Sequence, residues 1–157
     1  MQIEKYSECY HDEVVSLILN IQNNEAKIGL SLDEQPDLLD INRYYRSAGG
    51  EFWVAISDGK VIGTIGLMIK EKNCAVLKKF FVESEFRKQK VGLALYNELL
   101  KYADKKGVRC IILDTPSVAH RSHTFYEKAG FYKISSDELP ISYSYPDRDS
   151  ILYMLNL

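Results

Sequence analysis

Apolar positions along the chain switch between two spacings. Residues 1–6 read as a short first strand. Over residues 12–22 the apolar positions Val14, Val15, Leu17, Ile18 and Ile21 recur at helical spacing, and Asn23-Asn24 reads as the stop. Residues 24–34 show no regular period. Pro36-Asp37 is suited to open a second helix, predicted over residues 36–47 and ended by Gly49-Gly50. The period then falls to two: Phe52, Val54 and Ile56 alternate with Trp53, Ala55 and Ser57. Asp58-Gly59 is a preferred two-residue hairpin pair, residues 61–69 return, Glu71-Lys72-Asn73 turns again, and residues 74–82 form a third strand. Residues 91–106 are helical, with Val91, Leu95, Leu99 and Tyr102 on one face and Gly107 as a natural terminator. A β-branched strand over 108–114, a helix over 120–128 stopped by Gly130, and strands over 131–134 and 150–155 complete the series. The four prolines, at 36, 116, 140 and 146, all fall at expected loops or boundaries.

The predicted order is β-α-α-β-β-β-α-β-α-β-β. An antiparallel meander over residues 52–82 followed by helix 91–106 and a parallel strand requires a crossover, which places that helix on one face of the sheet. The expected fold is α/β: a mixed, mostly antiparallel sheet of six to seven strands between helices on both faces, a three-layer α+β sandwich. The length of 157 residues suits one domain, expected over 1–157.

Composition narrows the functional classes. With 46% hydrophobic and 27% charged residues the chain belongs with globular proteins. A formal charge of −2 offers no global field for nucleic acid or an anionic membrane, so an anionic ligand must be held by local charge. No apolar stretch approaches the ~20 residues of a membrane span, and the N-terminal residues lack the apolar core of a secretion signal. The expected location is cytoplasmic. Cys9, Cys74 and Cys110 are odd in number and scattered, which argues against a disulfide framework; Cys74 and Cys110 read as buried small hydrophobes. His120 and His123 stand three apart on a helix, but no third ligand is in view, so no metal is expected.

The informative stretch runs from Phe80 to Leu95. A strand enters a short loop rich in Arg, Lys and Gln, and a helix begins near Val91-Gly92. The first amides of that helix have no intrahelical partner and lie at the positive end of its dipole, a ready anion site. Gly92 permits close approach of a phosphate to the backbone, and Arg87, Lys88 and Lys90 add positive charge. The implied ligand is a di- or polyphosphate. Neither the phosphate-loop motif nor the dinucleotide fingerprint is present.

This stretch resembles the acetyl-CoA signature of the GNAT superfamily, Arg/Gln-x-x-Gly-x-Gly/Ala at a strand–loop–helix junction. The match runs Arg87-Lys88-Gln89-Lys90-Val91-Gly92, followed by Leu93-Ala94-Leu95, with Lys90 standing where the motif has its first glycine. A second block, Phe125-Tyr126-Glu127-Lys128-Ala129-Gly130-Phe131, is similar to the family's Phe/Leu-Tyr-Glu-Lys-x-Gly-Phe.

The resemblance implies the GNAT fold, acetyl-CoA as co-substrate, and direct transfer of an acetyl group to a primary amine of a small molecule or peptide. It implies that Phe81 and Val82 lend backbone groups to the acetyl-pantetheine end. Arg87, Lys88, Gln89, Lys90, Val91, Gly92, Leu93 and Ala94 would hold the pyrophosphate. Tyr126 matches the tyrosine that protonates the leaving thiolate. Two departures accompany these matches. The position near Val76, acidic in some members, has no acid here, which leaves Asp114, another acid or a water chain as the base. The family's frequent asparagine is Ala119, with His120, Arg121 and His123 close enough to substitute at a phosphate. A homodimer is one expectation from the family.

On the acceptor side the expected elements are 18–47 and 141–153. Tyr44, Tyr45, Trp53, Tyr143 and Tyr145 are candidates for an aromatic cleft, and Asp33, Glu34, Asp37 and Asp40 for an acidic patch. The Lys90 and Val76 departures leave a non-catalytic CoA sensor of the same fold as the alternative. A nucleotide-binding domain sharing only the basic loop is a further one, disfavoured for nucleic acid by the pI of about 5.9.

Overall fold

The period-two segment does form the centre of a sheet. In the computed structural model, which describes residues 1–71, 73–145 and 149–157, strands β2 (Glu51–Ser57), β3 (Lys60–Ile69) and β4 (Cys74–Val82) are an antiparallel meander. Lys72 and Pro146, placed in loops from the sequence, lie outside the described residues. β1 (Gln2–Lys5) adds to β2, while β5 (Cys110–Pro116), β6 (Tyr132–Ile134) and β7 (Ser150–Asn156) complete seven strands in the order β1-β2-β3-β4-β5-β7-β6. β4 and β5 are parallel; every other adjacent pair is antiparallel.

Helices cover both faces. α1 (His11–Asn20) and the short α2 (Pro36–Leu39) pack on one, burying Val14, Leu17, Ile18, Leu38 and Ile41 against Val54, Val76 and Ile112. α3 (Val91–Lys105) and α4 (His120–Lys128) pack on the other, burying Val91, Leu95, Leu99 and Tyr126 against Ile65, Leu77, Ile111 and Leu113. Alternate residues of β4 and β5 thus serve opposite layers, as the strand period requires. No helix of the described residues is long and apolar enough to cross a membrane.

Three elements differ from the sequence expectation. The first helix does not stop at Asn23-Asn24 but runs into a wide turn, Ile21–Glu25, in which the Ala26 amide reaches back to the Ile21 carbonyl. The helix expected over 36–47 is interrupted: Asp40 leaves helical geometry at φ −148°, and a second wide turn, Asn42–Arg46, follows. A 3-10 turn, Ser136–Glu138, closed by a reciprocal capping box between Ser135 and Glu138, was not expected at all.

β4 carries the irregularity that shapes the site. Its register to β3 slips between Thr64↔Phe81 and Gly66↔Lys78, so one extra residue, Lys79, is accommodated at φ +54°. The Thr64 hydroxyl donates to the Lys79 carbonyl at 2.7 Å and pins the bulge. Gly66 faces this point for a packing reason: a Cβ there would lie 2.6 Å from the Tyr45 ring and 2.8 Å from Phe52.

Candidate active site

The hydrogen-bonded ladder between β4 and β5 covers only Cys74↔Cys110, Ala75↔Ile111 and Val76↔Ile112. Beyond it β4 stays with β3 and β5 stays with β7, so the two parallel strands part. The gap opens a cleft of about 860 Å³. Residues 77–82 form one wall and residues 114–116 the other; α4 and the wide turn Ile21–Glu25 close the sides, and Gly92 sits at the mouth. The edge of β4 over residues 77–82 is therefore unpaired toward the cleft.

At the mouth, Lys90 is the residue before α3 and adopts the left-handed conformation, φ 62°. That region is one a glycine enters freely and a lysine enters at a cost. The backbone thus keeps the shape that a glycine would give it. No side chain caps α3, and its dipole points its positive end at the cleft mouth. Gly92 is not demanded by packing, because a Cβ there would meet the Phe80 ring at 3.5 Å and the Val82 side chain at 3.8 Å, both ordinary contacts. Arg87 is less free than its sequence position suggests. Its Nε donates to the Val82 carbonyl at 2.9 Å, and its Nη2 bridges to Glu25 at 2.9 Å, joining the loop to the wide turn after α1.

Tyr126 enters from α4 on the α3/α4 side. It is 6% exposed, lines the cleft, and lies among Phe80, Phe131 and Tyr153 with ring centroids 6.2, 5.5 and 6.0 Å away. Burial first, then the nearby Asp114 charge, raises its phenol above the usual value, so the proton is held.

Asp114 faces the opposite layer. It follows Ile112 by two on β5 and so shares its face, and it accepts a bond from the Tyr143 hydroxyl at 3.2 Å. Burial raises its carboxyl above the ordinary value of 3.8, and the positive charge of Lys78 pulls it partly back.

Of the sequence-predicted site residues, Phe81, Val82, Arg87, Gly92 and Tyr126 line the cleft. Lys88, Gln89, Lys90, Leu93 and Ala94 lie around its mouth without lining it, and Val91 is turned into the core at 1% exposure. His123 is placed elsewhere: its Nε2 donates to the Pro116 carbonyl at 2.9 Å and its ring lies against Tyr153, while His120 and Arg121 do line the cleft. No group of three metal-ligating side chains occurs among the described residues.

The acceptor-side candidates separate in the same way. Tyr45 is fully buried, Trp53 packs on Tyr102 in the other layer, and none of the five aromatics lines the cleft, though the Tyr143 hydroxyl bonds Asp114, which does. None of the four acids of the expected patch lines the cleft. Asp37 is instead drawn inward, where it accepts from the Tyr45 hydroxyl at 2.7 Å and lies 3.5 Å from the Lys79 ammonium. Lys79 also donates to Gln35 at 2.9 Å, and Gln35 exchanges two 2.8 Å bonds with Gln22. Burial lowers the Lys79 ammonium below its usual 10.5, with Asp37 opposing that shift. Sequence reasoning missed this network. Its one visible signal was a pair of lysines inside an otherwise apolar strand, where a bulge turns Lys79 toward polar partners.

A family model described as the acetyltransferase (GNAT) family matches residues 15–131, and the chain belongs to that family. It is 31% identical over 104 residues to the N-acetylaspartate synthetase of Danio rerio, covering 65% of this chain and 37% of that protein. It is 31% identical over 107 residues to a probable N-acetyltransferase, camello, of Xenopus tropicalis, covering 66% and 49%. The chain thus spans between about a third and a half of the length of these curated relatives. Solved structures resemble it over nearly its whole length. A GNAT-family acetyltransferase from Staphylococcus aureus Mu50 superposes with TM-score 0.96 at 35% identity, covering 99% of this chain and 98% of that one. An acetyltransferase from Streptococcus agalactiae gives 0.93 at 40%, with the same coverage. The fold is also that of the PaiA N-acetyltransferase from Thermoplasma acidophilum in complex with coenzyme A, at TM-score 0.77 and 20% identity over all of both chains.

Proposed function

We propose that the chain is an N-acetyltransferase that moves the acetyl group of acetyl-CoA directly onto a primary amine. The observation that carries this reading is the parting of β4 and β5 into a cleft whose mouth holds the uncapped start of α3 and whose interior holds Tyr126. Gly92, spared by packing, fits a ligand that must approach the backbone closely. The helix amides, Arg87 and the lysines beside it hold the pyrophosphate of the co-substrate, and the free edge of β4 at Phe81 and Val82 receives its pantetheine arm as an added strand. A β4 amide at that edge polarises the thioester carbonyl.

The chemistry then needs two proton positions. Asp114, on the α1/α2 side, accepts the proton that the incoming ammonium must lose; its raised carboxyl makes it a better base than an exposed aspartate. The amine nitrogen forms its bond to the carbonyl carbon, the carbon–sulfur bond breaks, Tyr126 delivers its proton to the departing thiolate, and the proton that the new amide nitrogen sheds restores the phenol through solvent. The two residues belong to opposite layers of the sheet, so acceptor and leaving group have separate sides.

The test is thiol release from acetyl-CoA with a panel of primary amines. Amine-dependent release is expected, and Tyr126→Phe should lower kcat at least about 10²-fold while the acetyl-CoA Kd stays within about twofold. Equal turnover by the variant would remove Tyr126 from the mechanism, and no release with any amine would remove the activity.

A further inference from the structure

We propose that the acceptor carries an anionic group, a carboxylate, beside its reacting amine, and that Lys78 receives it. The inference rests on the acetyl-transfer reading and names its substrate class.

Lys78 follows Val76 by two on β4, as Asp114 follows Ile112 on β5, so both stand on the α1/α2 face of the parted strands. Both line the cleft. The bulge at Lys79 sets a second lysine beside Lys78, but that ammonium is already occupied by Asp37 and Gln35. Lys78 has no such partner: among the described residues its ammonium makes no hydrogen bond and no ion pair. Asp114 feels its field without forming a bridge to it. A positive and a negative side chain therefore face the same space from opposite strands.

A molecule that bears an ammonium and a carboxylate on the same carbon answers both charges at once. A polyamine answers only one. Lys79 is neutralised by Asp37 behind the wall, which leaves Lys78 and Asp114 to balance each other, so a polycation gains no net attraction there. The acids that would have favoured one do not line the cleft.

The experiment compares kcat/KM for amino acids of several side-chain types with their carboxamides and their decarboxylated amines, using the full chain and saturating acetyl-CoA. The carboxamide is the stringent control, because its amine is easier to deprotonate than that of the acid. The acid should be preferred over its amide by about tenfold or more, the scale of one hydrogen bond to a charged group. Lys78→Gln should bring that ratio close to one, and Lys78→Arg should restore most of it. Melting curves of both variants separate lost recognition from lost folding. A wild-type ratio near one, or a ratio that Lys78→Gln leaves intact, overturns the proposal while acetyl transfer stands. Failure of every amine to release thiol overturns both readings.

Discussion

Asp114 is placed where a charge is costly. A carboxyl raised by burial stabilises the fold below its unfolded-state pKa, and that contribution is lost as pH rises through the folded-state value. The ionised group therefore works against the fold while serving the reaction. Asp114→Asn keeps an acceptor for the Tyr143 hydroxyl and removes the charge. At pH values above the Asp114 titration it should raise the melting temperature by roughly 2–4 °C, the shift expected of about 1 kcal/mol at this length. It should also lower kcat/KM by about 10²-fold or more. The wild-type kcat/KM should climb with pH through the Asp114 titration, and the variant should lack that limb. Melting curves and a pH–rate profile check both halves; a less stable variant would mean that Tyr143 and Lys78 outweigh desolvation.

Elements show where the sequence spoke and where it did not. The meander, α3, α4 and the parallel β4–β5 crossover were legible because period, turn pairs and terminators all agreed for them. The helix over 36–47 was not, because local signals at Pro36 and Gly49-Gly50 compete with a tertiary demand. Asp37 and Tyr45 are pulled toward Lys79, and the chain breaks at Asp40 to let them meet. The capping box at Ser135 and Glu138 was readable and overlooked, since Ser-x-x-Glu precedes no long apolar run there. At the site, the cleft walls and Tyr126 were legible through motif blocks. The inward turn of His123 and the Arg87–Glu25 bridge depend on partners too remote in sequence to pair by pattern. The start of α3 offers a direct test of what its glycine is for. Gly92→Ala adds a helix-favouring methyl with room to spare against Phe80, so stability should rise by about 0.5–1 kcal/mol. If a phosphate must touch that backbone, CoA affinity should fall about tenfold in the same variant. Calorimetric titration beside a melting curve reads both; unchanged affinity would move the phosphate site elsewhere.

At the scale of the whole molecule, the parted sheet is a frame whose two helical layers meet again at the cleft mouth. The Arg87–Glu25 ion pair spans that mouth, from the loop before α3 to the wide turn after α1. The net charge of −2 hides a local excess, since Arg87, Arg121 and Lys128 line the cleft and Glu25 pairs with Arg87. A pyrophosphate that draws on the Arg87 Nη2 competes with Glu25 for it, while Nε stays with the Val82 carbonyl. Glu25→Gln removes the competing charge and keeps the shape. CoA should then bind about two- to fivefold more tightly, the worth of a partly exposed ion pair, and the gain should shrink as salt is raised. Titration calorimetry of both proteins at low and high ionic strength measures it. Weaker binding by Glu25→Gln would show the opposite arrangement, in which Glu25 holds Arg87 in place for the phosphate and the pair is a positioning strut between the layers.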